Sequence, residues 1–337
     1  MKNTTLRWLI LSLLFVLPVV FVFGCRGDNE IQPAETDNIR LGYLRIGSDL
    51  PYFVASQEGL FEKHGLSVRA QRLGDSNQAM EALLQGQIDA TDIIGSSVVL
   101  AAGLDAPEKF SIYMMSAAGP KNRIHKLIAH PASGITQVAD LPGKRLAVFP
   151  GSQMRAYVEL FLGTYLDEDA LASVELVPLS PPQQIDAMVR NQVDAALTLE
   201  PTGSQLLSEG TGSLVLDNVL YESISKPRPF VTAFGIVNNT WAQESPGALA
   251  KLLLAYEEAS ELIKNDPARA RANMQQALDL DPGVTERVQL YDYPVAPNLD
   301  INDIKFTSDL MVNEGILRSS PPIERLILRN FEFSEDP

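Results

Sequence analysis

Cysteine occurs once, at Cys25, so no disulfide can form within the chain. Histidine is almost as scarce. His64, His125 and His130 are widely separated, offer no close metal-ligating pair, and are expected on the surface or in loops. The one glycine-rich stretch that mimics a phosphate loop, Gly42-x-x-x-x-Gly47-Ser48, lacks the lysine before the serine. No metal, no cofactor and no enzymatic activity are therefore expected. Basic residues are the minority charge: 27 Lys and Arg face 42 Asp and Glu, for a net charge of −15. Such a surface repels phosphate backbones, which argues against a nucleic-acid partner.

What is present begins with an export signal. Lys2 and Arg7 precede an apolar run over residues 8–23, followed by Gly24-Cys25, the charge, core and small-residue order of a secretory leader. The run is short of the roughly twenty residues that span a bilayer, and Pro18 interrupts it, so a cleaved leader over 1–24 fits better than an anchor helix. Val22-Phe23-Gly24-Cys25 resembles a bacterial lipobox, with an aliphatic residue three before the cysteine and a small one just before it; Phe23 is bulkier than that pattern favours. The resemblance implies acylation at Cys25 and a lipid-anchored protein in the periplasm or at the outer face of the cytoplasmic membrane. Residues 25–38 are polar and without apolar periodicity, and read as a flexible tether. Cleavage removes Lys2 and Arg7 and no acid, leaving 25 basic against 42 acidic residues, or −17.

The remaining chain carries an internal repeat. Residues 82–90, Ala-Leu-Leu-Gln-Gly-Gln-Ile-Asp-Ala, return 105 positions later as 187–195, Ala-Met-Val-Arg-Asn-Gln-Val-Asp-Ala. At the same offset, Asp75-x-x-Gln78 and Ser180-x-x-Gln183 supply capping-box helix starts, the second with Pro181 at the first helical position. Gly86 and Asn191 stand where helices end, since both tolerate the left-handed backbone of a C′ position. Each copy reads helix, cap, strand, with Asp89 and Asp194 in register.

Elsewhere the rhythm is α/β. Strands are expected over 39–46, 66–73, 110–115, 126–130 and 145–149. A helix carrying Phe53, Val54, Ala55 and Leu60 runs to Gly65, and another opens at Gly151-Ser152. Over 246–264, Leu249, Leu252, Leu253, Tyr256, Ala259 and Ile263 recur every three or four residues, the stripe of a helix lying on a core. Asp266-Pro267 starts a further helix, and 301–317 is the clearest helical stretch of the tail. The chain is expected to cross to a second lobe near Pro131 and to return around 229–237.

With these elements placed, the chain resembles the solute-binding proteins of the nitrate/sulfonate/taurine transport family. The carrying stretches are Pro51-Tyr52, residues 58–66 (Glu-Gly-Leu-Phe-Glu-Lys-His-Gly-Leu), 82–90, 140–144 (Asp-Leu-Pro-Gly-Lys), 191–195 and Glu200-Pro201. The resemblance implies a two-lobed periplasmic-binding-protein fold of type II, two α/β lobes joined by two crossover segments: lobe 1 from 39–130 with 230–337, lobe 2 from 131–229. It further implies a monomer that captures a small anionic or zwitterionic solute by hinge closure. The closed form would deliver it to an ABC permease with its ATPase, or, alternatively, report it to a membrane receptor. A related branch of pyrimidine synthases needs a cysteine-rich iron site, for which this chain has no cysteine after Cys25.

Loops at the carboxyl ends of parallel strands, and helix N-termini with their unpaired N–H groups, are where such a fold binds small anions. Gly151, Ser152 and Gln153 are the first such cradle, Ser152 serving either as oxyanion donor or as simple cap. Arg155, a cation in a first helical turn, opposes the dipole there and points either to an anion or to solvent. Gly95, Ser96 and Ser97 follow the first repeated strand; Thr198 and Glu200 follow the second, Glu200 holding an ammonium or fixing the turn before Pro201. Asp75 and Ser76 cap their helix, alone or while also touching the ligand. Pro51 and Tyr52 lie in the first strand-to-helix loop, where Tyr52 walls the pocket or packs in the core, and Phe234 leans towards the core.

Overall fold

The computed structural model describes residues 37–328, so the leader, Cys25 and most of the tether lie outside the described residues. Asp37 and Asn38, which composition assigns to the tether, already belong to the first strand.

Among the described residues eleven strands build two sheets: β1 Asp37–Tyr43, β2 Leu66–Arg72, β3 Ala90–Thr91, β4 Ile94–Gly95, β5 Phe110–Ala118, β6 His125–Ala129, β7 Arg145–Val148, β8 Glu175–Pro178, β9 Ala195–Leu199, β10 Ser213–Asp217 and β11 Phe230–Asn238. The first sheet runs β2-β1-β3-β11-β4, with β5 alongside β11. The second runs β10-β6-β9-β7-β8. The chain passes between sheets twice, from β5 to β6 and from β10 to β11. Residues 126–130, which the sequence leaves with the first lobe, pair with β9 in the second sheet, so the crossing falls before His125 rather than at Pro131. His125 is correspondingly buried within that sheet and not at the surface.

The repeat is visible in hydrogen bonds. β1 pairs in parallel with β2 and β3, and β7 with β8 and β9. Leu41 faces Ala90 as Leu146 faces Ala195, and both members of the second pair lie 105 positions after those of the first. Asp89 accepts from the backbone N–H and Nε of Arg40 at 2.8 and 3.0 Å; Asp194 accepts from the same two groups of Arg145 at the same distances. Each guanidinium also reaches its aspartate through Nη2. The repeated aspartates thus fasten the third strand of each unit to the first, by bidentate charge-assisted bonds. Gly86 and Asn191 both take positive φ, 68° and 52°, as helix ends require. The caps also hold: Asp75 accepts from the Gln78 N–H, and Ser180 forms its box with Gln183. Gln78 bonds the N–H of Gly74, one residue before the position the pattern predicts.

The expected single helix after β1 is broken. Leu50–Gln57 ends, Gly59 turns the chain at φ 67°, and Leu60–Lys63 follows. Glu58 at the break is held by Asn273 and Arg269 on the helix Pro267–Leu278. Over these elements lies the helix Pro246–Asn265, whose predicted stripe from Leu249 to Ile263 is buried in one core with β1, β5 and β11. Burial of each such leucine contributes on the order of 1.5–3 kcal/mol. The second sheet has its own apolar clusters, around Phe161 and Leu146 on one face and Met188 and Ile128 on the other.

Candidate functional site

Strand-end loops of the two sheets meet. A Cβ placed on Gly47, in the loop after β1, would stand 2.4 Å from the carbonyl oxygen of Glu200 and 2.9 Å from Pro201, just after β9. Only glycine permits that approach. Tyr291 reaches the same place from the other side, its buried hydroxyl raised in pKa by burial first and by the nearby Glu200 carboxylate second.

Glu200 itself is engaged inside the protein. Its carboxylate accepts from Lys126 Nζ at 2.7 Å and from the backbone N–H and hydroxyl of Ser204 at 3.1 and 3.0 Å, with its side chain 1% exposed. The ammonium that sequence reasoning assigns to a solute is here the chain's own Lys126, which also approaches Asp217 at 3.3 Å. The neighbouring His125 is held neutral, its pKa lowered to about 3 by burial and then by Lys126. Thr198 is buried one residue before Leu199.

On the first sheet, Ser76 Oγ accepts from the N–H of Gly95 at 3.0 Å, tying the end of β4 to the helix that Asp75 caps. Ser96 and Ser97 are buried at the start of the helix Ser96–Asp105, and Ser96 Oγ has no hydrogen-bond partner. Pro51 is buried in the first turn of its helix. Tyr52 stacks 4.6 Å from Tyr43, and both border a cavity of about 180 Å³ together with Arg45, Phe53, Ser56 and Gln57. Arg45 holds a left-handed backbone, φ 59°, which a side chain adopts only under constraint. Phe234 is wholly buried in the core. Gly151, φ 119°, precedes the helix Ser152–Gly163, which Ser152 and Gln153 open. Arg155 turns outward, 68% exposed, onto Glu159 at 2.8 Å. A second cavity, about 240 Å³, lies at the crossing segments beside Gly119, Lys121, Asn122, Pro229 and Asp303.

The sequence did not single out the most unusual chemistry. Asp49, in the turn after β1, and Asp92, just after β3, are fully buried and face each other from adjacent strand ends. Asp49 is satisfied by backbone, accepting from Ile46 N–H at 2.8 Å and Leu44 N–H at 3.3 Å. Burial nevertheless pushes its carboxyl up to about 7. Asp92 is raised well above the ordinary carboxylate range, by burial and then by the charge of Asp49. Neither Asp92 oxygen makes a well-formed hydrogen bond. Around the pair stand Tyr113, Tyr256 and Tyr293, all buried and all raised by burial first and by the charge of Asp92 next. Tyr113 donates to the Thr91 carbonyl at 2.6 Å, the Tyr256 hydroxyl is directed at Asp92, and the Tyr293 hydroxyl is without a partner. One signal was readable: an aspartate inside the apolar run Ala90-Thr91-Asp92-Ile93-Ile94.

Comparison with known proteins places this geometry. A Bacillus subtilis protein provisionally named for binding aliphatic sulfonates is 27% identical over 286 residues, 82% of this chain and 81% of its own. The solved alkanesulfonate-binding protein SsuA from Xanthomonas axonopodis pv. citri, bound to MOPS, superposes with a TM-score of 0.68 at 23% identity, covering 88% of this chain and 99% of that one. The desulfurization enzyme DSZB shares the fold at a TM-score of 0.63 and 17% identity, over 88% of this chain and 97% of its own. The backbone is thus common to binding proteins and an enzyme, and fold alone does not assign a role. Residues 32–278 match the model of the NMT1-like family, and with two sheets joined by two crossings the chain is a member of that family in the periplasmic-binding-protein fold.

Proposed function

We propose that this chain is the solute-binding component of an ABC importer. A small anionic or zwitterionic solute of the sulfonate, taurine or nitrate kind is held between a lobe built on the first sheet and a lobe built on the second. Hinges lie in residues 119–124 and 218–229, and the closed form is presented to a permease and its ATPase. Acylated Cys25 keeps the protein, as a monomer, at the periplasmic membrane face. The observation that carries this reading is the meeting of Gly47 with Glu200 and Pro201, which brings carboxyl-end loops of two duplicated α/β units together. The sulfonate-binding names among its relatives and fold neighbours support the solute class. Binding is favoured over catalysis because the Bacillus subtilis relative and the Xanthomonas fold neighbour are both named for binding.

The test is a thermal-shift screen of the full chain in detergent with nitrate, taurine, alkanesulfonates, bicarbonate, pyrimidines and amino acids. A bound solute at a hundred times its Kd adds about 2.7 kcal/mol of stability. Unchanged midpoints and unchanged scattering curves across the whole set overturn the proposal.

A further inference from the structure

We propose that Asp92, backed by Asp49 and flanked by the hydroxyls of Tyr256 and Tyr293, is the subsite for a protonated amine of the solute, which makes that solute a zwitterion rather than a bare anion. The inference rests on the solute-binding reading above and names the chemistry of one end of the ligand.

A fully buried carboxyl group ordinarily has its oxygens satisfied, and here both oxygens of Asp92 stand without a well-formed hydrogen bond. Of the two buried phenols beside it, Tyr256 is directed at Asp92 and Tyr293 is without a partner. The charged neighbour of Asp92 is a second acid, not a lysine or arginine. Nitrate or sulfonate placed here would meet carboxyl oxygens and no cation; an ammonium group brings three donors to a place offering carboxyl and phenol oxygens.

Position supports the assignment. β1 and β3 are hydrogen-bonded neighbours, and the two aspartates follow their carboxyl ends. Asp49 is two residues from Gly47, which touches the second sheet's loop at Glu200. Tyr52 lies beside both the acid pair and a cavity. Its backbone N–H is directed at Asp92, its phenol feels both acids, and its ring borders the cavity whose rim carries Arg45. A zwitterion with its amine towards Asp92 finds in Arg45 a cation for its other end.

The experiment measures calorimetric affinities of the full chain in detergent for matched pairs that differ only in the amine: taurine against isethionate, 3-aminopropanesulfonate against propanesulfonate, β-alanine against propionate. In at least one pair the amine is expected to bind ten-fold or more tightly than its partner. Asp92→Asn should erase that preference while retaining the weaker binding. Tyr293→Phe, which removes one oxygen and no volume, should reduce the preference and serves if Asp92→Asn fails to fold. Equal affinities within every pair, or a preference that survives both substitutions, overturns the amine subsite and leaves the importer reading standing. Binding of neither member of any pair, with no response in the wider thermal screen, overturns both.

Discussion

Replacing Lys126 with methionine removes the one cation bonded to Glu200 among the described residues and keeps the aliphatic bulk. The pair is almost dry, with side chains 7% and 1% exposed. Removing one partner of a buried ion pair costs about 3–5 kcal/mol, because the remaining charge is left in a poor solvent. Glu200 retains two donors from Ser204, and Asp217 retains Arg123 at 2.7 Å, so the lower end, about 3 kcal/mol, is expected. At about 2–4 °C per kcal/mol for a chain of this size, the thermal midpoint should fall by roughly 6–12 °C. The double variant Lys126→Met with Glu200→Gln removes the stranded charge while keeping an oxygen for Ser204, and should recover more than half the loss. Urea unfolding at pH 7, followed by circular dichroism, measures both. A single variant within about 1 kcal/mol of wild type, or a double variant no better than the single, refutes the reading of Glu200 as internally neutralised.

His125 is neutral in the folded protein down to about pH 3, whereas the unfolded chain takes up a proton near its ordinary 6.5. Stability is therefore full above pH 6.5 and declines as the pH falls towards 3, by about 2 kcal/mol between pH 7 and 5, a slope that His125→Gln should remove in paired melts. The acid pair acts in the opposite sense: its raised folded-state affinity for protons gives stability present below the unfolded range near 4 and lost as the pH rises through about 7. Asp92→Asn should consequently stabilise the protein more at pH 8 than at pH 5, and an equal effect at both would remove the claim. Gly47→Val would drive a side chain into the Glu200 carbonyl and should enlarge the radius of gyration in scattering, with secondary structure unchanged by circular dichroism; identical scattering curves would contradict the contact. Asp194→Asn should cost about 1–2 kcal/mol by weakening the bonds that hold β9 to β7, readable in the same urea assay.

Much of the framework was legible in the residues because it is local. Caps, C′ turns and the amphipathic stripe over residues 246–264 depend on neighbours three or four positions away, and the repeat could be read from matched strings. Glu200 was legible as the residue after a strand, whereas Gly95 and Ser96, expected in a loop, end the short strand β4 and open the helix Ser96–Asp105. What escaped depends on distant partners. Glu200 reads as free until antiparallel pairing of β6 with β9 sets Lys126 opposite Thr198 and within reach of it. The tyrosines around Asp92 come from positions 113, 256 and 293, in β5, a long helix and a loop, and no spacing in the chain announces that they converge. The broken helix at Gly59 escaped because the apolar spacing continues across it into Leu60 and Phe61.

The paired clasps, Arg40 with Asp89 and Arg145 with Asp194, also bear on how the molecule can be rebuilt. Key and lock of each clasp belong to one continuous stretch of chain and one sheet, and neither spans the crossing segments. A chimera that takes residues 37–95 whole from a relative transplants a self-locking cassette. A junction cut between Arg40 and Asp89 makes the donor and host supply halves of a lock that have never been fitted together.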